Sequence, residues 1–293
     1  MIENHSATLR TRLSNGDCLV APGVYDPFSA RIIEKLGFEA LYLGGNALGL
    51  SLGVGQPFVT LTETVTAIQE IRRVSALPVI ADADAGFGDA AHAYISMRSL
   101  KAAGATAIHI DDQIFPKRAH YHRGKGHLAD TDIVCGKLRA MTSSGEKNSP
   151  LVIARTDALR VTSDVTATIA RCREYIASGA EALMVLDLNP DRMAPFRKEF
   201  LGIPIFWIIG LTQAVPTRDE LSAAGFAAAV YPFNTVGAAH EAIVATWKEF
   251  KSSGRPAQFA RPASAIVADA LDVIGLETSL AIERVTTEPN IQK

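Results

Sequence analysis

The stretch Val79-Ile-Ala-Asp-Ala-Asp-Ala-Gly-Phe-Gly88 reads as an apolar strand that ends in two carboxylates, Asp82 and Asp84, and runs into a glycine-punctuated loop. Side chains alternate along a strand, so both carboxylates are expected to point the same way with Ala83 between them. A hard divalent cation such as Mg²⁺ prefers such oxygen donors and keeps waters that further carboxylates can hold. Asp111 and Asp112, closing the run Ala107-Ile-His-Ile-Asp-Asp112, would supply such a partner. Strand-end aspartates also cap helices and start turns, and a single Asp-x-Asp would read that way. Two acidic strand ends in succession read as a metal centre.

Arg155 also ends an apolar run, where a guanidinium needs either an acidic side chain or an anionic substrate. Asp157 and Asp187 are the internal partners it could pair with. Gly44 and Gly45, after Tyr42-Leu43, leave backbone N–H groups uncovered; that suits a carboxylate or phosphonate, and equally a tight turn. Asn46, Asp187, Tyr231 and Asn234 are further polar residues at the ends of apolar runs. The segment 114–128 is long, basic and glycine-punctuated, in the manner of a lid that closes over an anion and excludes water. It carries Lys117, His120, His122 and His127, and a histidine there has the right proton affinity for a general acid or base. A solvated basic loop is the plainer reading for any single one of these histidines.

These residues need a frame. Apolar runs at 18–23, 40–45, 79–84, 107–112, 152–157, 182–187, 204–209 and 228–233 alternate with segments of helical periodicity such as 61–75, 91–103, 164–178 and 237–253. A weak echo, Gly37-Phe-Glu-Ala-Leu41, Gly104-Ala-Thr-Ala-Ile108, Gly179-Ala-Glu-Ala-Leu183 and Gly225-Phe-Ala-Ala-Ala229, marks where helix passes into strand. Uninterrupted alternation requires parallel strands, and eight of them predict an α/β fold of the (β/α)₈ TIM-barrel type, with its active site at the C-terminal strand ends. A doubly wound sheet is the alternative, but no Gly-x-Gly-x-x-Gly follows the first strand. The barrel is assigned to 1–254. Residues 255–293 form a Pro-containing linker and an extra apolar helical extension, which covers its own barrel or, as we expect, contacts a neighbour in a homo-oligomer (dimer or tetramer).

Composition narrows the partner to a small molecule. Lys+Arg 29 against Asp+Glu 31 gives a net charge of −2 over 293 residues, which offers no basic field for nucleic acid. Cys18, Cys135 and Cys172 lack any Cys-x-x-Cys, against both a disulfide framework and a thiolate zinc site. With no leader-like start and no long uncharged stretch, a soluble cytoplasmic protein is expected.

From about Val20 to Phe233 the chain resembles the isocitrate lyase/phosphoenolpyruvate mutase superfamily. The resemblance rests on Tyr25-Asp26-Pro27 with Ser29-Ala30-Arg31, Leu43-Gly44-Gly45, the stretch 77–88, His109-Ile-Asp-Asp-Gln113, Phe115-Pro-Lys117 and Ile153-Ala-Arg-Thr-Asp157. It implies a (β/α)₈ barrel, often a tetramer exchanging C-terminal helices, and a Mg²⁺ or Mn²⁺ ion stabilising the enolate of a small oxo-acid. Carried over by position, Asp82 is the direct metal ligand, with Asp84 and Asp111 holding metal-bound waters. Arg155 and the amides near Gly44 and Gly45 grip the substrate carboxylate, with Tyr42, Asn46, Asp187 and Asn234 completing the substrate set. Lys117, His120 and His122 join Arg155 as catalytic candidates.

Departures refine the expectation. Lyases of the family carry Lys-Arg/Lys-Cys-Gly-His in the lid, where this chain has Lys117-Arg118-Ala119-His120, so the proton-donating Cys is missing. The usual Glu residues on the fourth and sixth strands are Asp111 and Asp187. The loop Gly53-Val-Gly-Gln-Pro57 lacks an expected Asp, and the seventh strand shows Trp207-Ile-Ile-Gly210 where lyases place a polar residue. An ordinary isocitrate or methylisocitrate lyase is disfavoured. A decarboxylase needs no dedicated acid to expel CO₂, and the first third also looks similar to the oxaloacetate decarboxylase branch. The expected activity is a Mg²⁺- or Mn²⁺-dependent lyase or decarboxylase of a small 2-oxo or 2-hydroxy di- or tricarboxylate. The alternatives are a phosphonopyruvate-type P–C bond enzyme, to whose lid Phe115-Pro-Lys117 is similar, and a metal-binding barrel that has lost catalysis.

Overall fold

The computed structural model describes residues 5–120, 126–143, 148–210 and 215–287. In chain order the first half runs α1 (His5–Leu13), β1 (Leu19–Val24), α2 (Pro27–Lys35), β2 (Leu41–Leu43), α3 (Gly45–Ser51), α4 (Leu61–Arg72), β3 (Val79–Asp82), α5 (Ala90–Ala103), β4 (Ala107–Asp111) and α6 (Thr131–Thr142). The second half runs β5 (Leu151–Thr156), α7 (Ala158–Thr162), α8 (Val165–Ala177), β6 (Ala182–Val185), α9 (Met193–Glu199), β7 (Ile205–Ile208), α10 (Arg218–Ala224), β8 (Ala228–Tyr231), α11 (Asn234–Ser253), α12 (Ala263–Val273) and α13 (Leu276–Thr286). The strands close in sequence order, β8 pairing in parallel with β1, into the expected barrel.

Local chemistry sets the helix ends. Thr60 with Glu63 and Thr217 with Glu220 form capping boxes that satisfy the first N–H groups of α4 and α10. Gly104 and Gly225 close α5 and α10 at φ 102° and 91°, a left-handed conformation that a Cβ disfavours. The glycine-led echo in the sequence is therefore a repeated helix-to-strand turn.

Strand parity divides the core. Leu19, Ala21, Ile80, Ala107, Ile153, Met184, Phe206 and Val230 fill the barrel interior. Their neighbours Val79, Ala81, Ile108, Val152, Leu183 and Trp207 pack outward in the layer beneath the helices. α1, an element the sequence reading leaves unassigned, closes the N-terminal end of the barrel. Its Leu9 and Leu13 join the interior cluster, Ser6 Oγ donates to the Thr106 carbonyl (3.3 Å), and Arg10 makes a two-pronged bond to Glu181 (2.8 and 2.7 Å). Thr106 and Glu181 directly precede β4 and β6, which fixes the end of the barrel that α1 covers.

The C-terminal helices are placed differently. Gly254 ends α11 at φ 71°, and Gly275 separates α12 from α13 at φ 79°. Among the described residues, none in α11, α12 or α13 is fully buried; Trp247 is 58% and Val267 56% exposed. α12 touches its own α2 through an ion pair of Asp272 with Lys35 and a bond from Arg31 to the Val273 carbonyl. No helix among the described residues is long and apolar enough to cross a membrane.

Truncating the plug tests this account of the barrel floor: Leu9→Ala is expected to lower the unfolding free energy by about 3 kcal/mol, read from urea denaturation of both proteins.

Candidate active site

The parity that buries Ile80, Ala107 and Ile153 also turns Asp82, then His109 and Asp111, then Arg155 toward the barrel axis at the C-terminal strand ends. Register brings them together, Asp82 lying opposite His109 and Asp111 opposite Arg155 on neighbouring strands. Asp82 is buried, and its carboxylate is held from both sides. Oδ2 accepts from the Gly45 amide (3.1 Å) and Gln56 Nε2 (3.2 Å), and Oδ1 accepts from the Asp84 amide (2.9 Å). Burial opposes ionisation of Asp82, but the positive charges of protonated His109, Lys117 and Arg155, with that amide, outweigh it and hold the carboxyl at about 2.

Asp84 corrects the alternation argument. β3 stops at Asp82, and Asp84 sits in a turn at φ 52°, its Oδ1 accepting from the Ala85 amide (2.6 Å). Lys137, buried on α6, donates to the Ala85 carbonyl (2.7 Å) and braces that turn. The turn, not the pleat, aims Asp84 inward.

Lys117, a catalytic candidate, stands in the acid cluster. It is buried, with Nζ 3.0 Å from Asp84 Oδ2 and 2.5 Å from Asp111 Oδ2. Two of the three expected metal carboxylates therefore share an ammonium group. Burial pushes the Asp84 carboxyl up against the pull of Lys117, and the charges of Asp111 and Asp82 push it further. With Lys117 so placed, no cluster of three His, Cys, Asp or Glu side chains among the described residues has metal-binding spacing. The donor set still suits Mg²⁺ or Mn²⁺, being all carboxylate oxygen. Asp84 and Asp111 already converge on one cation, so the residues fit such an ion once Lys117 releases them.

Arg155 is buried and pairs with Asp157 (Nε to Oδ1, 3.2 Å). Asp187 is not its partner. It lies beyond β6 in a turn at φ 65° and is held by Arg160 through two bonds of 2.7 and 2.8 Å, so its carboxylate is already engaged. Asp112 faces away from the axis, as parity demands. It accepts from Thr156 Oγ1 (2.5 Å), the Asp157 amide (2.9 Å) and Tyr175 (3.0 Å), and burial pushes its carboxyl up to about 6. Of the pair Asp111-Asp112, only the first belongs to the acid cluster.

Tyr42 and His109 stack with rings 3° from parallel, their polar atoms 2.8 Å apart at Oη and Nε2. Burial holds His109 down at about 4, so it is neutral at pH 7. Its Nδ1 lies 3.8 Å from Asp82 Oδ1, with no hydrogen-bond partner among the described residues. The Tyr42 hydroxyl and the Gly45 amide, read as substrate contacts, are thus spent on His109 and Asp82. Gly44 caps α3, with Asn46 half-buried in its first turn; Asn234 is exposed at the start of α11, and His120 is exposed. His122 lies outside the described residues. Three residues that the sequence motifs contain without a role find one here. His109 and Gln113 flank Asp111 at two-residue spacing, and Gln56 stands in the loop where an acid was sought, donating to Asp82 instead.

The shared ammonium gives a test. In metal-free buffer, Lys117→Met leaves two buried carboxylates facing each other and is expected to cost about 3 kcal/mol of stability in urea denaturation. Added Mg²⁺ or Mn²⁺ should restore part of it, because the ion binds the native state.

The model for the phosphoenolpyruvate phosphomutase family matches residues 9–251. A 2-methylisocitrate lyase from Aeropyrum pernix is 32% identical over 86% of this chain and 82% of its own length. The crystal structure of a 2,3-dimethylmalate lyase, described as a member of the PEP mutase/isocitrate lyase superfamily, superposes with a TM-score of 0.85 at 28% identity, covering 97% of this chain and 95% of that one. A phosphonopyruvate hydrolase in complex with oxalate and Mg²⁺ superposes with a TM-score of 0.82 at 25% identity, covering 96% and 99%. With the barrel, the acid strand end and the arginine strand all in place, the chain belongs to the isocitrate lyase/phosphoenolpyruvate mutase superfamily.

Proposed function

We propose that this protein is a Mg²⁺- or Mn²⁺-dependent lyase or decarboxylase that cleaves a C–C bond in a small 2-oxo or 2-hydroxy di- or tricarboxylate through an enolate. One observation carries the reading: Asp84 and Asp111, buried beside Asp82, converge on a single cation, the ammonium of Lys117. Carboxylates so converged support a divalent cation site, and the relatives' substrates support its use on a carboxylic acid.

Asp82, Asp84 and Asp111 are the residues that would hold the ion. When bound, it supplies positive charge to an oxygen that turns anionic as the C–C bond breaks. The remaining roles fall to the chain itself. Arg155, whose direction is fixed by Asp157, receives the substrate carboxylate through charge-assisted bonds. Lys117 brings an ammonium to the same water-poor space, where it offsets negative charge more effectively than in bulk solvent. Ala119 stands where lyases of the family carry their proton donor, and His120 is exposed. Decarboxylation asks least of such a site, since CO₂ departs without a proton and the carbanion left behind is protonated by water.

Assay of oxaloacetate, 2-methylisocitrate, 2,3-dimethylmalate and phosphonopyruvate with Mg²⁺ tests the reading. C–C cleavage of at least one carboxylate is expected, falling by at least about 100-fold in Asp82→Ala. Phosphate release from phosphonopyruvate alone would favour a P–C bond enzyme, for which Phe115-Pro116-Lys117 speaks. Turnover of none would leave a barrel without catalysis.

The exposed apolar faces of α11 to α13 support a second proposal, that a further copy of the chain covers them in a dimer or tetramer. Light scattering after size exclusion should give an oligomer that Trp247→Glu with Val267→Asp reduces to monomer; a wild-type monomer contradicts it.

A further inference from the structure

Asp157 follows β5 at the start of α7, where an aspartate ordinarily caps the helix. Here its side chain makes no cap bond. Its two oxygens serve different elements instead. Oδ1 lies 3.2 Å from Arg155 Nε, and Oδ2 accepts from Gln113 Nε2 at 2.5 Å. The backbone is pinned too, the Asp157 amide donating to Asp112 Oδ1 (2.9 Å). Gln113 donates its own amide to Asp111 Oδ1 (3.2 Å). All four side chains are at most 3% exposed. A buried run of hydrogen bonds thus leads from the acid cluster at Asp111, through Gln113 and Asp157, to the guanidinium of Arg155.

We infer that Asp157, braced by Gln113, is a positioning residue that orients Arg155 for an anionic substrate and ties that orientation to the acid cluster. The inference rests on Arg155 being the carboxylate-binding group. Asp157 makes no contact with the ligand in this account; it acts through the arginine. A fixed guanidinium meets a carboxylate without first losing rotamer freedom, which favours binding. Coulomb's law acts the other way, because a carboxylate beside an anion site weakens anion binding. Positioning and simple electrostatics therefore predict opposite signs when Asp157 is removed.

The probe is oxalate, titrated calorimetrically into the intact protein with Mg²⁺ present. Asp157→Ala is expected to weaken oxalate binding by about tenfold, and Asp157→Asn, which can still accept from Arg155, by less. On the substrate found by assay, both should raise KM more than they lower kcat. In an Arg155→Met background, Asp157→Asn should change oxalate affinity by less than about twofold, since its effect passes through the missing arginine. Should Asp157→Ala fail to fold, Gln113→Leu removes the brace and is expected to weaken oxalate by about threefold. Unchanged or tighter oxalate binding in the Asp157 or Gln113 variants overturns the inference, as does an Asp157 effect that persists in full without Arg155. Wild-type protein that binds no oxalate overturns the reading of Arg155 itself, and this inference with it.

Discussion

Like charges crowd one end of this barrel, and most of the site can be understood as the response to that crowding. Burying a carboxylate is costly unless donors and counter-charges meet it. Asp82 is met by two amides and Gln56, Asp84 by its own turn and Lys117, Asp111 by Lys117 and the Gln113 amide, and Asp157 by Arg155 and Gln113. Charge nevertheless remains in excess, and the upward push on Asp84 from burial and its acidic neighbours registers it. A site in this condition is preorganised for positive charge, and for the anionic transition states that positive charge stabilises.

The frame makes such crowding possible. In a closed parallel barrel every strand delivers its last inward residue to the same ring, so acids that are distant in sequence become neighbours through register alone. Asp82 beside His109 and Asp111 beside Arg155 are consequences of strand pairing. The apolar interior below, closed by Leu9 and Leu13 of α1, keeps water from the floor of the site. The outward-facing Asp112 serves the frame, binding the ends of β4 and β5 to α8 through Thr156 and Tyr175.

Much of this was legible in the sequence, because unbroken apolar runs with helical segments between them are direct consequences of strands buried on both faces. The strand-end acids and Arg155 stood out because charge at the end of an apolar run demands a reason. What stayed hidden depends on torsions and reach. Nothing in the spacing of Asp82 and Asp84 tells that the strand stops between them and that a left-handed turn aims the second acid. Asp187 has the same type and position as a site acid, yet Arg160 claims it. Lys117 stood out as a catalytic candidate, but its place between two carboxylates was hidden, because a flexible side chain carries no periodicity and its burial follows from charges on other strands. Gln56 and Gln113 are neutral and common, and only the hydrogen bonds they donate mark them.

Three carboxylates and one lysine at the barrel rim must constitute a divalent cation site for the proposed chemistry to run. Crystals grown with Mn²⁺ and oxalate, measured at the manganese absorption edge, address this directly. The expected result is one strong anomalous peak among Asp82, Asp84 and Asp111, with Lys117 withdrawn from at least one of its two carboxylates. A map with no peak there, and Lys117 still bridging Asp84 and Asp111, would contradict it.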